Sequence, residues 1–290
     1  MNGYAEPLLV DWLAQLQPHW RLVLFAALGV VAGLGLDVIV RRVPVAVERA
    51  WIEEMRAADA ANASPLRAPS HQTDLPAETM ALASPVARSP SPTLSPNPSP
   101  TPSPITVSPR RCQLSLLSGV LSAAIAWRFG PTWQSVGALG LVWTLVALAY
   151  IDHDTQLLPD ILTLPLLWAG LLCNLRHWFA ALPTAVIGAA LGYLSLWALY
   201  WVYWWLRRRE GMGFGDFKLY AALGAWFGWT ALLQILTLAC LLAIVVAGSA
   251  WLTGRLRSDQ MFPFGAFLAA AGIITLFGGN GLMIWIGGTP

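Results

Sequence analysis

The chain contains an aspartate that follows a short series of alternating glycines. Gly211, Gly213 and Gly215 alternate with other residues, Asp216 comes directly after them, and an apolar segment begins at Phe217. Because glycine has no Cβ, its backbone can turn tightly and can approach other groups closely. An aspartate at the mouth of a membrane-embedded segment is costly to keep there, so Asp216 is a functional candidate. Alone the pattern is weak, and its significance depends on a second acid brought to the same place.

A second stretch supplies three acids, Asp152, Asp154 and Asp160. Two carboxylates brought to similar depth by separate helices can share one proton, because like charges about 3 Å apart cannot both ionise. The ionised carboxylate can then take a proton from a water molecule while the protonated one polarises a carbonyl group. The two stretches together predict peptide hydrolysis without a metal ion or a covalent intermediate.

The three acids of the second stretch are not equivalent. Asp152 directly follows the apolar residues 134–151 and is the most membrane-proximal of the three, so we prefer it as the partner of Asp216. Asp160 opens the next apolar segment, which favours a helix N-cap over a catalytic acid. Asp154 is predicted to be a solvated loop acid.

Other residues that could carry chemistry have plainer interpretations. The four histidines are scattered along the chain and His153 has no partner histidine at metal-ligand spacing, so no metal site is predicted. Lys218 is either a charge that marks the inner membrane face or a group that tunes Asp216, and we favour the first interpretation.

The composition is that of a membrane protein. Hydrophobic residues make up 57% of the chain and charged residues only 11%, whereas soluble chains carry about 25% charged residues. Several apolar segments approach the length of about 20 residues that crosses a bilayer. We therefore predict an all-α polytopic protein with about eight transmembrane helices, with the lipid bilayer as a partner and no nucleic acid. The eight apolar segments are residues 22–40, 114–127, 134–151, 161–178, 184–206, 217–229, 231–253 and 261–286.

The basic residues predict the orientation of these segments. If each segment crosses once, Arg21, Arg128 and Arg176 lie on one side of the membrane. The remainder of the seventeen Lys and Arg residues lie on the opposite side. Basic residues are enriched in cytoplasmic loops. This bias predicts that both termini are periplasmic and that Asp152 and Asp216 lie together at the cytoplasmic face.

The region between the first and second segments has a different character. Residues 45–63 have a helical composition and are predicted to form a helix at the membrane surface, whereas residues 64–109 are rich in Ser and Pro. Such a segment cannot bury enough apolar surface to offset its ordering entropy, so we predict a disordered linker. The chain is thus divided into residues 1–51 with the first helix, residues 52–111 as a cytoplasmic loop, and residues 112–290 as a seven-helix membrane domain.

Two stretches resemble the bacterial prepilin peptidases, a family of membrane aspartyl proteases with a Gly-x-Gly-Asp centre. They are IDHDTQLLPDILTLPLLWAGLLCN at residues 151–174 and GMGFGDFKLYAALGAWFGW at residues 211–229, and FPFGAFLA at residues 262–269 supports the resemblance with Ala266 where the family usually has Pro. The resemblance implies that Asp152 and Asp216 are the catalytic acids. Gly213 and Gly215 would then let the turn or a substrate backbone approach Asp216.

The resemblance also implies an activity and a location. The family cleaves a short basic leader after a glycine at the cytoplasmic side of the bacterial inner membrane, and its substrates are type IV prepilins or type II secretion pseudopilins. The apolar stem of the prepilin would lie in the bilayer beside the enzyme. No cofactor is expected for this peptidase activity.

The chain departs from the family in one respect. Family members carry two CxxC pairs that bind a structural zinc after the first span, whereas the three cysteines here are Cys112, Cys173 and Cys240 and form no such pair. We expect the zinc site to be absent and the peptidase activity to be retained. N-methylation of the new N-terminus is left open, and S-adenosylmethionine is a cofactor only if that activity is retained.

Two other hypotheses remain from the residues themselves. Paired intramembrane acids also serve proton-coupled transporters and non-catalytic membrane components. The missing cysteines also allow an inactive homologue. Hydrolysis of a leader peptide discriminates both from the peptidase.

Overall fold

All regular secondary structure among the described residues is helical. The computed structural model describes residue 13 and residues 15–62, 109–208, 213–253 and 263–279. The predicted Ser/Pro-rich linker, Gly211 and the end of the last apolar segment lie outside these residues. The eight helices are α1 (Pro18–Asn62), α2 (Pro109–Phe129), α3 (Trp133–Thr155), α4 (Asp160–Asn174), α5 (Leu182–Arg207), α6 (Phe214–Phe227), α7 (Trp229–Leu252) and α8 (Phe264–Gly278).

Each predicted apolar segment overlaps one of these helices. Five of them are long and apolar enough to cross a membrane, namely α1, α2, α3, α5 and α7. The helices α4, α6 and α8 have 14 or 15 residues, which at 1.5 Å per residue is shorter than the bilayer core of about 30 Å. The all-α fold of a polytopic membrane protein is confirmed.

Contacts divide the chain into two units. The first comprises Met1–Arg49 and Ser108–Pro290, and the second Ala50–Val107. In the second unit, residues 50–62 are described and form the end of α1. The helix predicted at residues 45–63 is therefore not separate from the first span, because α1 continues through Pro44. Proline removes one backbone hydrogen bond from a helix interior and usually bends the helix there.

The short helix α6 lies at the centre of the first unit. Its residues from Leu219 to Trp226 are all buried, so its backbone is shielded by protein although the helix is too short to span. On one side it touches α5, where a Cβ on Gly188 would overlap the carbonyl oxygen of Gly224. On another side the hydroxyl of Tyr220 donates to the carbonyl oxygen of Leu232 in α7 at 2.7 Å. Small residues let membrane helices approach this closely.

Hydrogen bonds also fix α6 against α4. The indole Nε1 of Trp226 donates to the carbonyl oxygen of Leu166 at 2.9 Å, and its ring packs on Gly170. Asn174 is fully buried at the end of α4. Its Nδ2 donates to the carbonyl oxygens of Ala225 at 2.8 Å and Trp226 at 3.0 Å. These bonds fix the C-terminal end of α6 against α4, and α6 carries Asp216 in its first turn.

Asn174 also accepts two hydrogen bonds at its Oδ1, from the backbone nitrogens of Phe179 at 3.1 Å and Ala180 at 3.0 Å. We expect Asn174→Leu to lower the free energy of unfolding by about 3 kcal/mol or more, since each buried group left unpaired costs roughly 1–3 kcal/mol. Thermal unfolding in detergent measures the effect.

Thr237→Val is the control for this prediction. The hydroxyl of Thr237 bonds the carbonyl of Leu233 within an exposed face of α7, so we expect a change in Tm close to zero. Equal Tm values for the two variants would contradict the structural role of Asn174.

The helix pair α1 and α2 contains a buried acid with two partners. Asp37 is 1% exposed and accepts hydrogen bonds from Nε of Arg41 at 2.9 Å and Nε of Arg111 at 2.7 Å. A buried carboxylate is stable only when it is paired. Asp37 therefore joins α1 to the start of α2, close to the end of the bundle at which α3 finishes.

Candidate active site

Asp152 lies in the last turns of α3 and is 4% exposed. The helix continues to Thr155 and ends at Gln156 in a left-handed conformation. The loop predicted to hold Asp154 is shorter than expected, because α3 continues past Asp154 and only residues 156–159 separate α3 from α4. Ending the helix after Asp152 holds that side chain on a rigid element.

Asp216 lies in the first turn of α6 and is 7% exposed. The helix begins after Gly213, whose extended backbone angles are φ −75° and ψ 141°, and the backbone nitrogen of Asp216 donates to the carbonyl oxygen of Gly213 at 3.2 Å. Asp152 at the end of α3 and Asp216 at the start of α6 thus point into the interior at the same end of the bundle.

The start of α8 lies against both carboxylates. A Cβ built on Gly265 would lie 3.0 Å from Oδ2 of Asp152 and 3.0 Å from Oδ1 of Asp216. The distance between Oδ2 of Asp152 and Oδ1 of Asp216 therefore cannot exceed the sum of these two distances. The backbone nitrogen of Ala266 donates to Oδ2 of Asp152 at 2.8 Å. The structure brings the two predicted acids together beside one glycine.

Packing two turns farther along α8 explains this placement. A Cβ on Gly272 would lie 2.6 Å from Cδ2 of Leu223 in α6 and 3.3 Å from Cδ1 of Leu145 in α3. Because residues seven apart lie on one face of a helix, the face of α8 that contacts α3 and α6 also presents Gly265 to both aspartates.

The two predicted glycines have different surroundings. A Cβ on Gly215 would lie 2.7 Å from Cβ of Leu158 in the short α3–α4 connection, whereas a Cβ on Gly213 would meet no atom within 4 Å among the described residues. Gly215 thus allows the start of α6 to touch the segment that comes after Asp152. Space beside Gly213 remains open.

Asp160 is not an N-cap, and this prediction was wrong. Pro159 occupies the N-cap of α4, and Asp160 is the first helical residue. Its two carboxylate oxygens each accept a hydrogen bond from Nζ of Lys218 at 2.6 Å. The proline has the extended backbone that an N-cap requires, and the acid is thereby free to pair with α6. Lys218 therefore has a partner other than Asp216.

We expect Lys218→Met and Asp160→Asn each to slow the predicted peptide hydrolysis about threefold to fivefold. A partly exposed ion pair contributes at most about 1 kcal/mol, which corresponds to a rate change of this size. Each variant releases the turn that carries Asp216 from the start of α4. The double variant should be no slower than the slower single variant, since both remove the same interaction. Steady-state kcat measures all three.

This cycle also distinguishes the two interpretations of Lys218. If Lys218 acted on Asp216 directly, Lys218→Met would slow the Asp160→Asn variant as much as it slows the wild-type protein. Lys218→Arg, which keeps the charge beside Asp160, is the conservative control and should retain most of the rate.

Asp154 is exposed, as predicted, but the prediction that it lies in a loop is wrong. It lies in the last turn of α3 rather than in a loop, and it forms an ion pair with Arg110 at the start of α2. The guanidinium of Arg110 lies 5.8 Å from the ring centroid of Tyr150. Asp154 therefore links α3 to α2 and faces away from the aspartate pair. Asp154 is exposed, so this ion pair lies at the surface of the bundle.

Gly265 and the amide of Ala266 were not singled out from the sequence. The signal that could have found them is the glycine directly after Pro263 and Phe264, at the start of an apolar helix. There a helix N-terminus presents free backbone N–H groups that attract an anion. Elsewhere in the described ranges, no group of three or more His, Cys, Asp or Glu residues could hold a metal ion.

Fold and site together define a helical, polytopic membrane protein with two buried aspartates at the end of its bundle. Residues 139–248, which include both aspartates, match the type IV leader peptidase family. The chain is 40% identical over 291 residues to the prepilin leader peptidase/N-methyltransferase of Burkholderia pseudomallei strain 1026b, covering 95% of this chain and 91% of that protein.

Other relatives agree. Proteins with the same description from Aeromonas hydrophila and Pseudomonas aeruginosa are 39% and 37% identical, covering 87% and 94% of this chain and 89% and 95% of theirs. No solved structure matches the chain. The chain belongs to the type IV leader peptidase family and is a peptidase, which confirms the resemblance drawn from its two aspartate stretches.

Proposed function

We propose that this chain is a membrane aspartic endopeptidase that removes the leader of type IV prepilins or type II secretion pseudopilins. Asp152 and Asp216 are its catalytic pair, and the bond cut lies directly after a glycine. The observation that carries the proposal is the pair of buried carboxylates beside Gly265, each with one oxygen 3.0 Å from a Cβ built on that glycine. The relatives' description as prepilin leader peptidases supports the choice of substrate.

The contacts of the two carboxylates suggest different roles. Oδ2 of Asp152 accepts the N–H of Ala266 at the start of α8, and a backbone donor at a helix N-terminus stabilises negative charge. Asp152 is therefore the ionised member that takes a proton from the attacking water. Asp216 is the protonated member and donates a hydrogen bond to the carbonyl oxygen of the scissile peptide.

The proton balance of the reaction closes within the pair. Water oxygen bonds to the carbonyl carbon as its proton passes to Asp152, and Asp216 protonates the former carbonyl oxygen. The tetrahedral intermediate collapses when Asp152 gives its proton to the amide nitrogen and Asp216 recovers its own. The C–N bond breaks, and both carboxylates return to their starting states.

Charge supports a cytoplasmic site in the bacterial inner membrane. Four basic residues lie near helix ends on the side of the aspartate pair. They are Arg110 and Arg111 at the start of α2, Arg207 at the end of α5 and Lys218 in α6. Cytoplasmic ends of membrane helices are enriched in such residues. We also propose the division into residues 1–51, 52–111 and 112–290, with the last as the peptidase domain.

N-methylation of the new N-terminus is a separate proposal. The relatives carry N-methyltransferase in their description, whereas this chain has three cysteines and no CxxC pair. A structural zinc contributes folding free energy to a small module. We propose that the chain retains leader cleavage without a zinc-binding module. If methylation is also retained without that module, it requires S-adenosylmethionine.

The test uses the purified protein in phospholipid nanodiscs with one full-length prepilin, with and without S-adenosylmethionine. Mass spectrometry of the product reports the cleaved bond and any methyl group. We expect leader loss directly after a glycine in both arms. Absence of product in both arms would contradict the proposal and favour an inactive homologue or a non-catalytic membrane component. A methylated product would show that the second activity survives.

A further inference from the structure

An apolar groove lies between α3 and α4 and has a volume of about 390 Å³. Gly137, Gly140 and Thr144 line it from α3, and residues from Ile161 to Cys173 line it along the length of α4. None of the described residues that line it is charged. The hydroxyl of Thr144 already bonds the carbonyl oxygen of Gly140 at 2.8 Å, so the groove offers an occupant almost only apolar surface.

The groove opens away from the protein core. Ile161 at its rim is 65% exposed, and Trp168 on the same helix is 63% exposed. A Cβ on Gly140 would meet no atom within 4 Å among the described residues. Both helices overlap predicted membrane segments and the rim is exposed, so we infer that the open side of the groove faces lipid. An apolar side chain can enter it from the side.

One end of the groove lies near the aspartate pair along both of its helices. Thr144 precedes Asp152 by eight residues on α3, a distance of roughly 12 Å along the helix axis. Ile161 lies at the start of α4, directly beyond the short connection that contains Leu158. A Cβ on Gly265, between the two carboxylates, would lie 2.7 Å from Cδ1 of Leu158. One end of the groove is therefore next to the site, and the other lies deeper in the membrane.

This geometry restricts the part of a substrate that lies beyond the scissile bond. A chain that leaves the carboxylates along α3 passes from the bundle end into the apolar region. There it must be helical, because only a helix satisfies its own backbone hydrogen bonds without water. Its side chains must be mostly apolar, because the described lining is almost entirely apolar and the hydroxyl of Thr144 is already bonded.

We propose that the α3–α4 groove seats the apolar membrane helix of the substrate itself, on the side of the cleaved bond that remains in the membrane. Side chains from one face of that helix fill the space beside Gly140. The seated helix fixes the depth of the scissile bond at Asp152 and Asp216. This inference rests on the proposed peptidase function and adds a binding surface to it.

The test compares two substrates with one groove variant. Gly140→Leu fills the groove. Gly248→Leu on α7 is the control, because a Cβ on Gly248 would also meet no atom within 4 Å among the described residues. The substrates are a full-length prepilin in nanodiscs and a water-soluble peptide that contains the leader and only a few residues after the cut.

We expect Gly140→Leu to slow cleavage of the full-length prepilin at least about tenfold, as overpacking of a filled site does. Cleavage of the short peptide should be unchanged, and Gly248→Leu should match the wild-type protein on both substrates. Equal cleavage of the full-length prepilin by Gly140→Leu and wild type would overturn the inference. It would leave lipid as the occupant. Failure of wild type to cleave either substrate would instead overturn the proposed function.

A second measurement remains informative if Gly140→Leu does not fold. Cys173 lines the groove, and Cys112 and Cys240 can be replaced by Ser. Single cysteines are then placed along the apolar helix of a prepilin, and copper phenanthroline oxidises each thiol pair to a disulfide. We expect cross-links to Cys173 that recur every three or four substrate positions. Cross-links that are absent, or that show no helical period, would overturn the inference.

Discussion

Asp152→Asn and Asp216→Asn are each expected to slow leader cleavage by at least about a thousandfold, the upper range for loss of a general acid or base. An amide in place of Asp152 has no negative charge with which to take a proton from water. An amide in place of Asp216 has no acidic proton to give to the carbonyl oxygen. Both substitutions keep the size of aspartate and leave an oxygen that accepts a hydrogen bond, so the fold should persist. Initial cleavage rates of a full-length prepilin measure the effect.

Asp154→Asn is the matched control for both variants. Asp154 lies in the last turn of the same helix as Asp152, and its carboxylate pairs with Arg110 on the surface of the bundle. Its loss should change the rate by less than about fivefold. An Asp152 or Asp216 variant that cleaves as fast as the Asp154 variant would remove that acid from the catalytic pair.

The second large effect is expected at Gly265, which touches both carboxylates without contributing a side chain. A Cβ at this position would lie 3.0 Å from an oxygen of each aspartate, closer than ordinary van der Waals contact. Gly265→Val adds two further carbons and must separate the pair or displace the start of α8. Since a displacement of about 1 Å can cost about a hundredfold in rate, we expect at least that loss.

Gly278→Val is the control on the same helix, because a Cβ on Gly278 meets no atom within 4 Å in the described part of the chain. We expect it to cleave at the wild-type rate. Thermal unfolding in detergent separates a local effect of Gly265→Val from general unfolding. If Gly265→Val retained more than a tenth of the wild-type rate with an unchanged Tm, the carboxylates would not depend on close approach at this glycine.

Hydropathy and local motifs determined the class of the protein from sequence. Each apolar segment overlaps one helix, because a continuous apolar stretch can bury its side chains and close its own backbone hydrogen bonds without distant residues. The two aspartate stretches also identified the family. These signals fail at helix ends, as at Thr155 and at Pro159. At these positions the backbone angles of one or two residues decide where a helix ends or begins, and hydropathy does not predict those angles.

Only the tertiary structure decided which residues surround the two aspartates. Sequence favoured Asp152 over Asp154 and Asp160 by its position beside an apolar segment. The partners of the other two, Arg110 and Lys218, lie more than forty residues away from them. Gly265 comes from a third helix and reaches the pair because α8 packs across both α3 and α6. Such proximity depends on packing between distant segments, and no local pattern encodes it.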